Sequence, residues 1–509
     1  MPSDDLQKQI AVTVAAFLDN VEQMLPQWNE QRSPQGFCDT ELAIAKQCRN
    51  LQDAITELLL RSIVSDPVFQ VQCSQAARSG AGGLRCGDRQ GRNIELLGGS
   101  TIRLNDLEYL KPNRRGKKPG RKRGTGRRGK GGSGVIPVLA ALGIWFGATP
   151  ALAQEVCHQV ADSDSLRCAR SALERRGIKL GHNRIRNIFN KVSCRAVDQR
   201  NRWLEQQMSQ TAGADVFLKG KRVMVSTDGG RIRTRISARS GRRRKNGHRG
   251  YKTAWREPKL LVIYVINNQG KIDQEFRPIY DGTLEDADAI FEMLAGYLKA
   301  LGVDQARQLI FVADGAKWIW NRTGKLAERL GVPANRVVEE VDWYHAVETL
   351  WTIAKLPNGW SNAQRTKWVK KAKNLLFSGN ISALVDQIAP LTKNRTIKAE
   401  DGRIKKANDH LDYFARNAAR MQYETFKSDN IPLGSGCVES AVRRVVNMRM
   451  KSNGTFWGEV NAEGMLLMRS YLKAGRLNDL LLWSMRTAAP WWPPSRPDSQ
   501  NLAPVVNVG

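Results

Sequence analysis

The central part of the chain predicts an α/β fold in which helices cover a mixed sheet. The strands are indicated by continuous apolar runs rich in β-branched residues, which is the pattern of buried strands. An amphipathic helix over 287–301 separates the early runs from the later one, as expected for a layered α/β order. The buried runs are Val223–Val225, Leu260–Ile266 and Leu309–Val312.

Two further segments complete the predicted sheet. Ile232–Ile236 alternates apolar and basic residues, which predicts a half-exposed strand. Arg336–Val341 predicts a fifth strand that leads into a helix at Tyr344. Residues 213–350 therefore form the first part of an α/β core.

Other regions interrupt and follow this core. Residues 351–432 predict a helical insertion rich in Lys and Asn. The core resumes over 433–487, where Glu439–Leu472 is helical again. The tail, 488–509, contains five prolines and predicts a disordered or loosely docked segment.

The region before the core is mainly helical. Residues 1–85 carry apolar residues at three- and four-residue steps, and Asp39 or Thr40 is the expected cap of the second helix. Residues 86–110 change to a period of two around Gly98-Gly99-Ser100, which predicts a hairpin.

Residues 135–212 are helical again and contain a candidate DNA-binding element. A helix ending at Arg176, then Gly177, then a basic helix over Asn183–Val192 has the outline of a helix-turn-helix. Two packed helices joined by a glycine C-cap would leave the same pattern, so both interpretations stay open.

The positive charge of the chain is concentrated in two places. The 509 residues carry a net charge of +31, and Lys111–Lys130 and Arg231–Arg256 each hold 11 basic residues and no acid. The first run lies in 111–134, which lacks apolar side chains and predicts a solvated linker or arm. We expect a polyanionic partner, nucleic acid before an acidic membrane surface. The hydrophobic content of 41% excludes disorder throughout.

One uncharged stretch has the length of a membrane span. Gly134–Ala153 has no charge over 20 residues. It contains Pro137, Pro150, Gly143 and Gly147 and has no second segment like it, which favours a buried helix pair. The eight cysteines lie far apart without a CxxC pair, which fits a reducing cytosol.

Two acids follow buried strands. Asp228 comes after Val223–Thr227, Asp314 comes after Leu309–Ala313, and each precedes a glycine. Ligand sites in open α/β sheets lie beyond the carboxyl ends of the strands. Paired carboxylates there suit Mg²⁺, and two such ions would assist phosphoryl transfer. Two Asp-Gly turns after strands are the alternative.

Glu439 is the candidate third acid. It lies in the first turn of a helix opened by Gly434-Ser435-Gly436, with Arg443 and Asn447 on the same face. The helix would supply a metal ligand and direct cations towards phosphates. A solvated pair of Glu439 and Arg443 is the alternative. The candidate phosphate-binding cations of this segment are Arg443, Arg444, Arg449 and Lys451.

Four motifs, taken in this order, resemble those of DDE transposases of bacterial insertion sequences. The similarity is strongest to the ISKra-type family, with kinship to Mutator-like elements. It covers residues 135–485 of the chain. The motifs are Ser226–Gly230, Val312–Ile319, Asp342–Ala346 and Gly434–Ser440.

The resemblance implies an RNase H-like catalytic core with a helical insertion, preceded by mainly α DNA-binding regions. Asp228, Asp314 and Glu439 would be its metal-binding triad, holding two Mg²⁺ or Mn²⁺ ions. Asp342-Trp343-Tyr344-His345 resembles the (C/D)xxH motif of related transposases, which would set His345 near the scissile phosphate. An N-cap aspartate with a structural histidine is the alternative.

The implied partners are double-stranded DNA, at terminal inverted repeats and at a target, and further copies in a homodimer or larger synaptic assembly. No membrane partner is implied, and the location is the bacterial cytoplasm at the nucleoid. The 86–110 hairpin resembles a degenerate zinc ribbon in which only Cys86 remains. The further basic residues that would contact DNA phosphates are Arg231, Arg233, Arg235, Arg242, Arg243, Arg244, Lys245, Lys317, Lys117, Lys118, Arg121, Lys122 and Arg123.

Two other functions remain open from the sequence. An RNase H-like nuclease or junction resolvase would use the same acids without strand transfer. A non-catalytic DNA-binding protein would use only the basic segments.

Overall fold

The computed structural model describes most of the chain and groups it into two compact units. The first unit comprises Met1–Gln199 and a C-terminal helix at Leu477–Arg486; the second comprises Arg200–Arg476. The predicted basic arm and proline-rich tail fall almost wholly outside the described residues. Described are residues 3–30, 32–80, 84–112, 134–209, 217–237, 251–393, 396–398, 404–451 and 454–486.

The first unit opens with helices, as predicted. The third of them begins at Pro34, because Ser33 accepts the backbone N–H of Gly36 and proline is favoured at the first helical position. The cap predicted at Asp39 or Thr40 is therefore wrong. The helices are α1 (Ser3–Glu22), α2 (Leu25–Glu30), α3 (Pro34–Ser65) and α4 (Pro67–Gly80).

The hairpin predicted around Gly98–Ser100 is confirmed. Its inward residues, among them Ile94 and Ile102, are buried. The turn is fastened to α3, because Asp53 accepts the backbone N–H groups of Gly98 and Ser100, both at 2.8 Å. The strands of this region are β1 (Leu84–Cys86), β2 (Gln90–Glu95), β3 (Thr101–Leu107) and β4 (Leu110–Pro112), paired β1 with β4 and β2 with β3.

The uncharged stretch Gly134–Ala153 contributes to two helices with buried apolar faces, as predicted. Among the described residues, no helix combines the length and apolar character needed to cross a membrane. The helix-turn-helix outline is present, with Gly177 in the left-handed region at φ +84°. Its second helix extends beyond Val192. The helices are α5 (Pro137–Ala141), α6 (Pro150–Asp162), α7 (Leu166–Arg175) and α8 (His182–Ser209).

The second unit contains a small mixed five-stranded sheet, which confirms the predicted mixed α/β class. The strand order is β11-β10-β5-β8-β9, with β5, β10 and β11 parallel and β8 antiparallel to both of its neighbours. The alternating strand β6 was predicted, but it pairs with β7 in a separate hairpin. The strands are β5 (Arg222–Gly229), β6 (Ile232–Ser237), β7 (Tyr251–Arg256), β8 (Lys259–Ile266), β9 (Ile279–Thr283), β10 (Gln308–Ala313) and β11 (Val337–Val341).

Helices cover both faces of this sheet. The region 351–432 is mainly helical, as predicted, with one short hairpin, β12 (Thr396–Lys398) and β13 (Ile404–Lys406). The helix predicted over Glu439–Leu472 is interrupted, because a loop separates α17 from α18. A five-residue π-helical segment joins α16 to α17. The helices are α9 (Ala287–Ala300), α10 (Lys317–Arg329), α11 (Trp343–Ala354), α12 (Asn362–Phe377), α13 (Ile381–Thr392), α14 (Asn408–Asn417), α15 (Tyr423–Ser428), α16 (Gly436–Val442), α17 (Met448–Met450) and α18 (Glu459–Lys473).

Successive residues of a strand point to opposite faces of the sheet, so the neighbours of β5 and β8 show which helices cover each face. Val225 and Thr227 line a small cavity with residues of α9 and α10, so odd-numbered positions of β5 face those helices. Tyr264, which pairs with Met224, interacts instead with Cys437 of α16. The even-numbered positions of β5 therefore face α16.

Candidate active site

Three aspartates stand side by side at one edge of the sheet. Asp228 is next to last in β5, and Asp314 and Asp342 directly follow β10 and β11. Val312 pairs with Ser226, and Ala313 pairs with Val341. If these pairings are extended by one or two residues, Asp314 lies opposite both Asp228 and Asp342. The three aspartates are therefore neighbours across three adjacent parallel strands. Paired residues share a face, so all three lie on the face that α16 covers.

The structure brings the two sequence-predicted aspartates together with similar backbone anchoring. The Oδ1 atom of Asp228 accepts the N–H of Gly229 at 2.6 Å, and that of Asp314 accepts the N–H of Ala316 at 3.0 Å. Neither Oδ2 atom accepts a hydrogen bond from another described residue, and no described Lys or Arg forms an ion pair with either carboxylate. Each aspartate is thus held in place with one oxygen left for a ligand.

The surroundings of these carboxylates favour their protonated forms. Burial raises the pKa of Asp228 to about 6; the N–H of Gly229 opposes this, and the nearby carboxylates of Asp314 and Glu439 add to it. Burial also raises the pKa of Asp314 above its ordinary value, against the hydrogen bond from Ala316. Asp314 is therefore close enough to Asp228 to disfavour its ionisation, while Asp342 and Glu257 do the same to Asp314.

Glu439 reaches the same site from α16. Its side chain is exposed, and its Oε1 atom accepts the hydroxyl of Ser435 at 3.3 Å. Its charge raises the pKa of Asp228 and contributes to that of His345. Asp314 and Glu439 therefore both lie close enough to Asp228 to raise its pKa.

Asp342 joins two parts of the site. It is fully buried, and its Oδ1 atom accepts the backbone N–H of His345 at 2.9 Å, which caps α11. Its Oδ2 atom accepts the backbone N–H of Ser435, in the turn that precedes Glu439. The N-cap that the sequence offered as one interpretation is thus present at Asp342. The same side chain also positions the helix that carries Glu439.

His345 lies among the acids of the site. Its Nδ1 atom is 3.5 Å from Oε2 of Glu348, one turn further along α11. Burial alone would lower the pKa of His345, but Asp342, Asp314 and Glu439 raise it above the ordinary histidine value. The ring is therefore more readily protonated than a free imidazole, which supplies positive charge beside the carboxylates.

Two residues near Asp314 were not predicted from the sequence. Glu257 precedes β8, and its charge raises the pKa of Asp314. Tyr413 of α14 packs so closely on Gly315 that a Cβ atom there would lie 2.0 Å from its ring. The hydroxyl of Tyr413 is buried without a hydrogen-bond partner among the described residues. The antiparallel register of β5 and β8 could have indicated Glu257, whereas no local signal marks Tyr413.

A further unpredicted acid lies deeper on the same face. Glu340 of β11 is two residues before Asp342 and is fully buried. Neither of its carboxylate oxygens has a hydrogen-bond partner in the described structure. Burial, with the charge of Asp342, raises its pKa well above the ordinary value and so favours the protonated carboxyl.

The predicted phosphate-binding cations have different environments. Lys317 is exposed at the start of α10, and Arg443 and Lys451 are exposed near α16 and α17. Arg444 donates to the hydroxyl of Tyr280 at 3.3 Å. Arg449 is buried against Trp457, so the structure does not present it at the surface. Outside the described residues lie Arg242, Arg243, Arg244, Lys245, Lys117, Lys118, Arg121, Lys122 and Arg123.

The donor set at the sheet edge suits a hard divalent cation. Asp228 and Asp314 each offer an oxygen that has no hydrogen-bond partner among the described residues, and carboxylate oxygens are the ligands that Mg²⁺ and Mn²⁺ prefer. In the described part of the chain, no three or more His, Cys, Asp or Glu side chains are already gathered as a metal site. Asp228 and Asp314 would hold such an ion, whose charge would offset the repulsion that neighbouring carboxylates add to the effect of burial.

Comparisons with known proteins give no family for this chain. No protein-family model matches its sequence, and no curated protein matches it either. The chemistry of the site therefore follows from its geometry. Three carboxylates, a readily protonated histidine and nearby exposed cations form a site suited to a phosphate-bearing substrate.

Proposed function

We propose that the protein is a DDE-type DNA transposase, which cleaves DNA at the terminal repeats of its element and joins the released end to a target. The observation that supports this most directly is the alignment of Asp228 and Asp314 on adjacent parallel strands, with Glu439 approaching from α16 on the same face. Such a carboxylate set is the protein part of a two-metal phosphoryl-transfer site.

The fold around the acids supports the same proposal. In chain order the sheet is a meander of three antiparallel strands, β5, β8 and β9, extended beside β5 by the parallel strands β10 and β11. We expect this strand order and these directions of an RNase H-like core. The mainly helical region between α11 and α16 corresponds to the insertion that the resemblance implies.

The proposed reaction has two steps at the same acids. Water attacks a phosphodiester and the P–O3′ bond breaks, which leaves a 3′-hydroxyl and a 5′-phosphate. That 3′-hydroxyl then attacks a phosphodiester of the target, forming a new P–O bond and releasing a target 3′-hydroxyl. Asp228, Asp314 and Glu439 would hold two Mg²⁺ or Mn²⁺ ions, which supply activation of the attacking oxygen and charge stabilisation at the leaving one.

Other residues of the site have supporting roles in this proposal. Protonated His345 supplies positive charge beside the phosphate, where its raised pKa favours the charged ring. Asp342 positions the turn before Glu439. The exposed cations Lys317, Arg443 and Lys451 contact the DNA backbone, which makes binding strongly salt-dependent without sequence readout.

The partners belong to the proposal as well. Terminal repeats and target would both be double-stranded DNA, and two ends must meet, so a homodimer or larger assembly is expected at the bacterial nucleoid. Sequence reading is assigned to the α7–α8 pair, whose glycine turn and basic second helix have the helix-turn-helix outline.

The decisive experiment incubates purified protein with terminal-repeat DNA and Mg²⁺ or Mn²⁺. We expect Asp228→Ala, Asp314→Ala and Glu439→Ala each to abolish cleavage and joining. Glu328→Ala, which removes an exposed carboxylate elsewhere on α10, is the matched control and should keep full activity. Normal cutting by all three site variants would overturn the proposal. Nicked products without joined ones would favour the nuclease or resolvase, and binding without metal-dependent cleavage would favour a non-catalytic DNA-binding protein.

A further inference from the structure

The hairpin of β6 and β7 presents an unusual surface outside the main sheet. Arg233 pairs with Trp255 across the two strands, and Arg235 pairs with Thr253. Paired residues share a face, so the arginines of β6 and the aromatic residues of β7 lie on the same side. The sequence between Arg231 and Arg256 contains no acid.

Arginines and aromatic rings interleave on this face. The guanidinium carbon of Arg231 lies 5.0 Å from the centroid of the Trp255 ring, and that of Arg233 lies 5.7 Å from it. Arg233 also stands 4.9 Å from the ring of Phe456, and Arg235 stands 5.5 Å from that of Tyr251. We call this surface, made of Arg231, Arg233, Arg235, Tyr251, Trp255 and Phe456, the arginine–aromatic face.

Two of the three rings of this face are open to solvent. Trp255 is 54% exposed, the most of any described tryptophan, and Tyr251 is 45% exposed. By contrast, Trp343 packs against Phe377 and Tyr423 inside the second unit. Exposed aromatic rings with their π faces beside cations are the surface on which nucleic-acid bases stack.

The backbone beneath this face is held on both sides. One edge of β6 pairs with β7, and on the other Arg235 N donates to the carbonyl of Trp457 at 2.7 Å while Trp457 N donates to that of Arg233 at 2.9 Å. On the opposite side of β6, Ile232 and Thr234 are buried. The backbone that carries the arginines is therefore held in place before a ligand binds, which lowers the entropic cost of binding.

We propose that the arginine–aromatic face binds unpaired nucleotides of a DNA strand, with bases stacked on Trp255 and Tyr251 and phosphates held by Arg231, Arg233 and Arg235. Bases in a duplex already stack on each other, so the rings favour single-stranded DNA while the arginines alone would accept either form. The inference rests on the proposed function in one respect, which is the path of the bound strand. Arg231 follows Asp228 by three residues, so a strand bound on this face would lead towards the proposed catalytic acids.

The first test measures binding of a fluorescent oligothymidine of about 12 nucleotides, and of a blunt duplex of equal length, by anisotropy in EDTA. We expect the double variant Tyr251→Ala with Trp255→Ala to bind the single strand about 10- to 100-fold more weakly and the duplex nearly normally. Trp351→Ala removes an exposed tryptophan from α11 and is the matched control. Unchanged single-strand binding, or equal losses for both DNA forms, would overturn the inference.

A second measurement locates the contact without relying on variants that must fold. Single-stranded DNA carrying 5-iodouracil is irradiated with the full-length protein, and cross-linked peptides are identified by mass spectrometry. Cross-links to Tyr251 or Trp255 support the inference, and cross-links confined to other segments contradict it. Asp228→Ala, which should stop cleavage, must leave both results unchanged; loss of cleavage and loss of single-strand binding are thereby separated.

Discussion

Two groups of acids in the second unit have opposite surroundings. Asp281 of β9 is fully buried, and Arg200, also buried, donates to it at 2.8 Å and to Glu463 at 3.2 Å. The hydroxyl of Tyr297 donates to Asp281 as well. Asp228 and Asp314 belong to the same sheet, two and three strands away from β9. Neither has a Lys or Arg partner among the described residues.

The difference separates a structural charge cluster from a candidate functional one. Burial alone would lower the pKa of Arg200, but Asp281, Tyr297 and Glu463 raise it above the ordinary value, so the guanidinium stays charged. At the sheet edge, burial and neighbouring carboxylates raise the pKa values of Asp228 and Asp314, and the charge of His345 opposes this only in part. A fold that leaves acids only partly compensated has a site that a cation would complete.

The largest expected effect is on catalysis. Asp228→Asn keeps the shape of the side chain but removes its charge, so cleavage of terminal-repeat DNA should fall by at least about 10³-fold. Asp281→Asn should instead lower stability, while the folded fraction cleaves at a normal rate. Single-turnover rates on protein shown to be folded by circular dichroism check both. If Asp281→Asn stopped the chemistry as completely as Asp228→Asn, the two groups would not differ as described.

The next effect concerns stability. Arg200→Met leaves Asp281 and Glu463 without their cation, and we expect a loss of about 3–5 kcal/mol in the free energy of unfolding. Arg202→Met, on the exposed side of the same helix, should change it by less than about 0.5 kcal/mol. Urea unfolding of both variants measures the difference, and equal values would show that the buried cluster is not structural.

A third effect depends on pH. The pKa of Asp228 is about 6 in the folded protein against 3.8 for an unperturbed aspartate, so the folded state binds the proton more tightly. The stability contributed by this proton is present below pH 3.8 and is lost as pH rises through 6. Asp228→Asn should therefore exceed the wild type in stability by an amount that grows between these values to about 2–3 kcal/mol. Urea unfolding in EDTA measures it, and a constant difference would contradict the predicted titration.

The smallest effect tests the link made by Asp342. In Asp342→Asn, the remaining oxygen can still accept the N–H of His345 and cap α11. The side-chain NH₂ group then faces the N–H of Ser435, and it cannot accept a hydrogen bond from that group. We expect a loss of about 1–2 kcal/mol in stability. Since Glu439 would be less well positioned, the cleavage rate should fall more than DNA affinity. Asp342→Ala, which loses the cap as well, should be less stable still; if it equalled the Asn variant, the cap would contribute nothing.

Much of the second unit was predictable because its signals are local. Buried strands are continuous apolar runs, so β5, β8 and β10 and the acids at the ends of β5 and β10 could be located from neighbouring residues alone. The strand β9 was missed because Ile279–Thr283 contains Asp281 and Gly282, which disfavour strands. All five of its residues are buried, and Arg200 compensates the acid.

Sequence by itself determined which acids stand at the ends of strands, since period and apolarity depend on residues a few positions apart. Only the tertiary structure decided which of those acids are compensated. Arg200 lies 81 positions before Asp281, and Asp342 accepts a hydrogen bond from a residue 93 positions later. Charge pairing acts through space, so chain packing supplied an arginine to Asp281 but placed no described Lys or Arg against Asp228 and Asp314.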